Sequence, residues 1–455
     1  MTENGLGQLV AEDAELARAG VAILDENWLG HATRASSRLY PHQWSWDAAC
    51  IAIAYSHFDQ ARAETELRSL FEGQWRNGLL PHIRFTDGAR YFPGPEFWQT
   101  ELSPDAPTHP RTSGIVQPPV HATAVLQIYR NAADTERAEA FLRELMPSLV
   151  AWHDYLYRER TRDGEGLVEL WHPWESGADN SPLWDEALAR IAPPPEDIPE
   201  YQRVDTEVVD SSQRPTNAEY DRYAYLVKCY RERGYDQARI RAECPFAIQD
   251  VLFNSILARA GEDLASIARL VGEDPEPFER AAATTRASLD SKLWSEGAGM
   301  YLDYDLRADA HVAARTWGGL APLYCGVSEE RANRLLGTVR EFAVTLDGGW
   351  AVPSVSANDP SFDPARYWRG PVWPMISWVI HLGLRRHGYA AEAEQLRSTQ
   401  LGLARGGGFW EHYNARTGEG QGTEHLSWTA AIVLDLLLAP PGDTPVPMRI
   451  SGERS

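Results

Sequence analysis

Apolar positions recur along most of this chain with the period of an α-helix. Leu9-Val10, Leu16, Val21-Ala22 and Leu24 trace one stripe of a first amphipathic helix. Ala48 to Phe58 is apolar nearly all round, which suits a helix buried on every side, and Ala61 to Trp75 is amphipathic again. The same period predicts helices near 120–131, 136–158, 217–233, 247–259, 262–271, 276–293, 328–342, 372–386, 389–403 and 426–438. Strand-like alternation is scarce. Helices come in pairs, and an aromatic-rich loop then opens the next pair. That rhythm predicts an all-α fold: two concentric helix rings closed into an (α/α)6 barrel, with long functional loops at one rim. No internal repeat supports a solenoid.

The segment 160–216 breaks the rhythm. Its Pro193-Pro194-Pro195-Glu196-Asp197-Ile198-Pro199-Glu200 run excludes a regular helix, and a loop of this length inside a compact domain is usually functional. The pattern therefore predicts a single catalytic domain over 1–440, an irregular cap-like insertion at about 160–216, and a polar tail, 441–455.

Four loops carry the candidate chemistry. Trp171-His172-Pro173-Trp174-Glu175-Ser176-Gly177-Ala178-Asp179-Asn180-Ser181-Pro182 crowds two indoles and two carboxyls between prolines. The others are Tyr40-Pro41-His42-Gln43-Trp44-Ser45-Trp46-Asp47, Tyr367-Trp368-Arg369-Gly370-Pro371-Val372-Trp373-Pro374, and Gly408-Phe409-Trp410-Glu411-His412-Tyr413-Asn414 with Thr423-Glu424-His425-Leu426-Ser427-Trp428 after it. Sugars present apolar C–H faces and a rim of hydroxyls, so a sugar site needs aromatic planes and polar groups together. Tryptophans that merely plug a core are the plain alternative for any one loop. Four such loops imply an organised pocket.

Composition narrows the partners. The 455 residues are 43% hydrophobic, contain 17 tryptophans and carry a net charge of −22. Such a charge argues against nucleic acid or an anionic membrane as partner, and an acidic ligand would need a local arginine. Cys50, Cys229, Cys244 and Cys325 lack zinc-ligand or disulfide-framework spacing and read as reduced thiols. No signal-peptide pattern or membrane-length apolar run is present, so a soluble cytoplasmic protein is expected, with self-association left open.

Within the loops, Asp179 is the candidate general acid, because Trp174 and Trp184 could desolvate it and raise its pKa. Glu175 and Asp185 compete: Glu175 could order the loop through backbone amides, and Asp185 could be a first-turn helix acid. Glu411, after a Gly406-Gly407-Gly408 turn, is the candidate base, with Glu424 its rival. Asp47 either caps a helix or binds sugar hydroxyls. Trp44, Trp46 and Asp47 alternate, so they face one way only if the segment turns. His82 and His121 are candidate hydroxyl ligands, and Arg214, Arg366 and Arg369 candidate anion clamps. No histidine–carboxylate cluster has metal-ligand spacing, so no metal and no cofactor is expected.

These motifs resemble the mannosylglycerate/glucosylglycerate hydrolases, small bacterial members of glycoside hydrolase family 63, which are similar to processing α-glucosidase I. The resemblance runs from about Tyr40 to Trp428. It rests on Tyr40-x3-Trp44-x-Trp46-Asp47, Leu80-Pro81-His82, Thr112-Ser113-Gly114-Ile115-Val116-Gln117-Pro118-Pro119, His172-Pro173-Trp174-Glu175-Ser176-Gly177-x-Asp179-Asn180-Ser181-Pro182, Arg369-Gly370-Pro371-Val372-Trp373-Pro374 and Glu411-x-Tyr413-Asn414. It implies an (α/α)6 barrel and metal-free inversion at the anomeric carbon, with Asp179 as acid and Glu411 as base. By the same resemblance, Tyr40, Trp44, Trp46, Asp47, His82, Trp174, Trp368 and Trp373 form the sugar subsite. Tyr91, Gln117, Arg214, Tyr220 and Tyr367 then form the glycerate side. One position departs from the pattern: Glu424-His425 stands where a glutamine is expected, and a carboxylate there would repel glycerate.

The sequence thus predicts an inverting α-glycosidase acting on a short glycoside, glucosylglycerate or mannosylglycerate. An α-glucosidase for a neutral disaccharide or glucosylglycerol is the alternative that Glu424 favours. A catalytically silent sugar-binding barrel is the alternative of another class, opposed by the two carboxyl candidates.

Overall fold

The computed structural model describes residues 9–162, 164–346 and 349–439; the polar tail expected at 441–455 lies outside the described residues. Twelve helices of eleven residues or more run in chain order among them. They are α1 (Ala11–Asn27), α2 (Ser45–Ser56), α3 (Gln60–Phe71), α4 (His121–Asn131), α5 (Thr135–Arg160) and α6 (Asn217–Glu232). The second half holds α7 (Val251–Val271), α8 (Glu276–Ser288), α9 (Glu329–Phe342), α10 (Pro374–Arg386), α11 (Ala390–Gly407) and α12 (Ser427–Leu438).

Burial sorts them into two rings. Every residue of α2 is buried, and α12 is buried from Ser427 to Leu437. The alanines of α2 remove bulk where its neighbours approach. Helix α2 packs on α4, α4 on α7, and α10 on α12, which returns to α2. The gap between α7 and α10 is filled by a short helical piece, Trp317–Leu320 followed by Pro322–Cys325, which packs on both. That is the sixth inner wall of an (α/α)6 barrel. Outside it, α3, α5, α8 and α11 pack on α2, α4, α7 and α10, and α1 packs on α12. One apolar cluster runs through the rings from Leu16 to Leu437.

The structure corrects several expected boundaries. The helices expected at 247–259 and 262–271 are one element, α7, because Gly261 lies against Ala282 of α8 and the chain continues without a break. The helix expected over 276–293 is α-helical only to Ser288 and then widens into a π-type turn, Leu289–Leu293. Helix α6 is not part of the inner ring; a reciprocal Thr216/Glu219 capping box starts it, and its Tyr220, Tyr223 and Tyr230 face the 171–184 loop.

Strands are few and short. Glu169–Leu170, Ile248–Gln249, Tyr304–Asp305 and Ala310–His311 form a small antiparallel sheet, and Trp410–Tyr413 pairs with Gly420–Glu424 as a hairpin. Between Arg160 and α6 only short helical turns and one strand form, with Pro195–Asp197 a single tight turn. Among the described residues no helix is long and apolar enough to cross a membrane. All four cysteines are free and buried.

Candidate active site

At one end of the barrel the aromatic loops line a cavity. The fifteen residues that the resemblance assigns to the site line it: Tyr40, Trp44, Trp46, Asp47, His82, Tyr91, Gln117, Trp174, Asp179, Arg214, Tyr220, Tyr367, Trp368, Trp373 and Glu411. Trp428, Pro93, Gly177, Leu426 and Ala35 complete the wall.

The first loop reaches the cavity because it changes conformation at the right place. Gln43-Trp44 is extended and pairs with Ile83-Arg84, then α2 begins at Ser45. This turn from strand to helix lets Trp44, Trp46 and Asp47 share one side. Asp47 lies in the first turn of α2; burial, then Glu411 and Asp179 nearby, outweighs a bond from its own backbone amide and pushes its pKa up to about 7. Gln117 accepts from the Trp46 amide at 3.3 Å, and His82 is paired with Ser113 Oγ at 2.8 Å. Burial drives the His82 pKa well down, so its ring is neutral.

Asp179 sits on the 171–184 loop. Tyr367 OH donates to its Oδ2 at 3.2 Å, and Tyr223 OH donates to its carbonyl at 2.9 Å. Burial is the largest influence on the carboxyl and, with Glu411, outweighs Arg214 and Tyr367, so its pKa rises to about 7. The loop can approach this closely because Gly177 has φ +74° and a Cβ there would lie 2.4 Å from Trp46 Cζ2. Asn180 ties the loop to its neighbour, accepting from the Trp368 amide at 3.1 Å on its side chain and from Arg369 at 3.2 Å on its carbonyl. Trp368 and Trp373 stack with centroids 3.8 Å apart, and Trp46 lies 4.7 Å from Trp428.

Glu411 enters the cavity from the 410–424 hairpin. The register shifts between Trp410 and His412, so Glu411 occupies a bulge, a device that re-aims a side chain. Opposite it, Gly422 has φ +77° and a Cβ there would sit 2.3 Å from Glu411 Oε2. Three donors converge on the carboxylate: Tyr40 OH at 2.7 Å and Arg214 Nη1 at 3.4 Å on Oε1, and the Thr423 amide at 3.2 Å on Oε2. Arg214 also lies 4.1 Å over the Tyr367 ring, and its charge acts on Asp179 as well. One guanidinium thus serves both carboxyl groups of the pocket.

The rival residues sit elsewhere. Glu175 is buried in an ion pair with Arg160 at 2.5 Å and accepts from the Trp171 amide at 2.7 Å and Tyr230 OH at 3.2 Å; it orders the loop. Asp185 is exposed in the first turn of a short helix and pairs with Arg369. Arg366 pairs with Glu219 at 2.9 Å, so neither of these arginines lines the cavity. His121 is a core side chain 3.0 Å from Ser45 Oγ. Glu424 turns outward, half exposed, to Arg38 at 2.6 Å and lines a separate groove beside α1. The repulsion of glycerate expected from Glu424 therefore loses its geometric basis. Among the described residues no three potential metal ligands gather.

The sequence reading passed over Asp205, which contacts Arg214, and did not count Trp428 as wall, although its aromatic-Ser-Trp setting was visible.

Comparison with known proteins shows the family. The profile of the mannosylglycerate hydrolase MGH1-like glycoside hydrolase domain matches residues 40–429. The chain belongs to this glycoside hydrolase family. It is 50% identical over 420 residues to a mannosylglycerate hydrolase of Rubrobacter radiotolerans, covering 91% of this chain and 95% of that one. It is 40% identical over 447 residues to a glucosylglycerate hydrolase of Mycolicibacterium hassiacum, covering 93% and 98%. The fold superposes with a TM-score of 0.87 on a family 63 mannosylglycerate hydrolase of Thermus thermophilus, crystallised with Tris and D-glycerate, at 40% identity over 92% of this chain and 99% of that one. The (α/α)6 architecture and the glycosidase class of the protein rest on these matches and on the site together.

Proposed function

We propose that the protein hydrolyses a short α-glycoside of glycerate, glucosylglycerate or mannosylglycerate, to free sugar and glycerate with inversion. One observation carries this reading: a carboxyl held near neutrality and a donor-rich carboxylate line the same aromatic cavity, with Arg214 beside them. Asp179, protonated, gives its proton to the glycosidic oxygen as the C–O bond breaks. Glu411 takes a proton from a water whose oxygen attacks the anomeric carbon from the other face. Asp179 then regains a proton from solvent and Glu411 releases one, so the site is reset without a covalent intermediate. The tryptophans hold the sugar faces, Asp47 and His82 its hydroxyls, and Arg214 with Tyr91, Gln117, Tyr220 and Tyr367 the glycerate.

Segment 161–216 acts in this reading as a cap over the pocket, since it supplies Trp174, Asp179 and Arg214 to it. The free buried cysteines suit a reducing cytoplasm, and the acidic chain suits a small ligand clamped locally. The test is hydrolysis of both glycosyl-glycerates and of glucosylglycerol by purified protein, followed by proton NMR from the first turnover. Preference for a glycerate substrate and first appearance of the β anomer are expected. Preference for the neutral glycoside would overturn the substrate reading, and first appearance of the α anomer would overturn inversion.

A further inference from the structure

Behind Arg214, on the acceptor side of the cavity, lies a charged pair that the reaction above does not use. Asp205 is buried, and its carboxylate accepts from Arg203 Nε at 2.9 Å and Nη2 at 2.6 Å, then from Arg214 Nε at 3.1 Å. Arg203 is itself fixed by the Pro215 carbonyl at 2.7 Å and Asn217 Oδ1 at 3.0 Å, with its guanidinium 4.0 Å over the Tyr220 ring. Arg214 directs Nε to Asp205 and Nη1 to Glu411; neither contact uses Nη2.

We propose that Asp205, pinned by Arg203, is a positioning residue that sets selectivity for a negatively charged acceptor by holding Arg214 off Glu411. The proposal rests on the glycosyl-glycerate reading and extends it. Arg214 is nearly fully buried between two anions, so its orientation is decided by how firmly each one holds it. The Glu411 contact is the longer of the two, and Glu411 is also bound by Tyr40 and Thr423. The Asp205 carboxylate is gripped by two bonds from Arg203 and cannot follow Arg214 if it swings. Burial alone would raise the pKa of Asp205, but Arg203 and Arg214 outweigh it and hold the group below its ordinary value, so the anchor is charged. With this anchor, one edge of the guanidinium stays turned toward the acceptor. Without it, the nearest anion is the base, and Arg214 closes onto Glu411.

Two physical effects predict opposite signs for the removal of Asp205. Deleting an anion makes this wall more positive, which by field alone tightens an anionic acceptor. Losing the anchor misplaces the one guanidinium that can pair with it, which weakens the acceptor. The sign is therefore diagnostic.

The measurement is the ratio of kcat/KM for glycosyl-glycerate to that for the matching glycosyl-glycerol, in the wild type, Asp205→Asn, Arg214→Ala and the double variant, with thermal unfolding followed in parallel. Asp205→Asn is expected to lower the ratio about tenfold, the scale of one hydrogen bond to a charged group. In the Arg214→Ala background the same change is expected to move the ratio by less than about twofold, because a residue acting through Arg214 has nothing left to act on. Should Asp205→Asn fail to fold, Asp205→Glu keeps the charge but shifts the oxygens by one methylene, and a fall of roughly threefold is expected. A ratio that is unchanged or raised, in whichever variant folds, overturns the proposal. So does an equal further loss in the Arg214→Ala background, which would mark a scaffold role. A wild type that prefers the glycerol substrate overturns the underlying reading and this proposal with it; a wild type that prefers glycerate while Asp205 variants do so undiminished overturns only the proposal.

Discussion

Glu175 and Asp179 lie on one loop, a turn apart, and their surroundings are opposite. Glu175 points into the protein, where Arg160 stacks 4.0 Å over Trp171 and closes a fully buried ion pair. Asp179 points into the cavity, where its near partner is a phenol and no guanidinium bonds it directly, and its pKa climbs to about 7. Two carboxyls on one loop thus have separate tasks. One carboxyl is fully compensated and locks the backbone. The other is left under-compensated so that it keeps its proton near neutral pH. The strong pair at one end holds the loop whose other end, at Gly177, packs closely against Trp46.

The sharpest way to break this contrast is to neutralise the cavity end. Asp179→Asn and Glu411→Gln are each expected to reduce kcat by about 10²–10⁴-fold with folding retained, as judged by circular dichroism and turnover on the preferred glycoside. Wild-type turnover in either variant would remove that residue from the mechanism. The core end should respond in stability instead. Glu175→Gln leaves Arg160 charged and buried without its partner, a change that costs about 3–5 kcal/mol, read by urea unfolding. A loss below about 1 kcal/mol would mean that the loop is held chiefly by its aromatic packing.

The next effect sharpens the acceptor end. Arg214→Ala is expected to lower the preference for glycosyl-glycerate over glycosyl-glycerol by about tenfold to a hundredfold in kcat/KM. Equal losses on both substrates would make Arg214 a structural cation.

Legibility of the sequence followed the range of the interactions. Helix pairing and the four aromatic loops were visible because period and motif are local properties. The choice between Glu411 and Glu424 was not visible in spacing and came only from the resemblance, as both sit on one hairpin with aromatic neighbours. Only the bulge at Glu411 and the Arg38 partner of Glu424 separate them, and both depend on register and on residues far away in the chain. The sixth inner wall was missed because Trp317-Gly318-Gly319-Leu320-Ala321-Pro322 is too short and too rich in glycine to show a helical period. Asp205 was missed for a similar reason: it lies in a polar stretch whose meaning comes from two arginines that the tight turns at Asp205–Glu207 and Ser211–Gln213 bring to it.

The smallest expected effects concern pH. In the proposed reaction Asp179 acts in its protonated form, so kcat/KM is expected to fall as pH rises above about 7. Stability should follow the same group. Its folded pKa stands above the ordinary 3.8, so the stability it contributes is full below that value and is lost as pH climbs to about 7. Asp179→Asn cannot lose it. Its unfolding free energy relative to wild type should therefore rise between pH 4 and pH 8, by an amount on the order of 1 kcal/mol after allowing for water in the cavity. A difference that stays flat across that range would show that Asp179 ionises normally.

Six of the 17 tryptophans, Trp44, Trp46, Trp174, Trp368, Trp373 and Trp428, stand on the cavity wall, two of them in face-to-face stacking. Indole emission depends on the polarity and mobility of what touches the ring, so a molecule that displaces water from this wall changes the light the protein emits. The same aromatic surface that grips a sugar is thus a built-in optical reporter, and occupancy can be titrated in the catalytically silenced variants without a label.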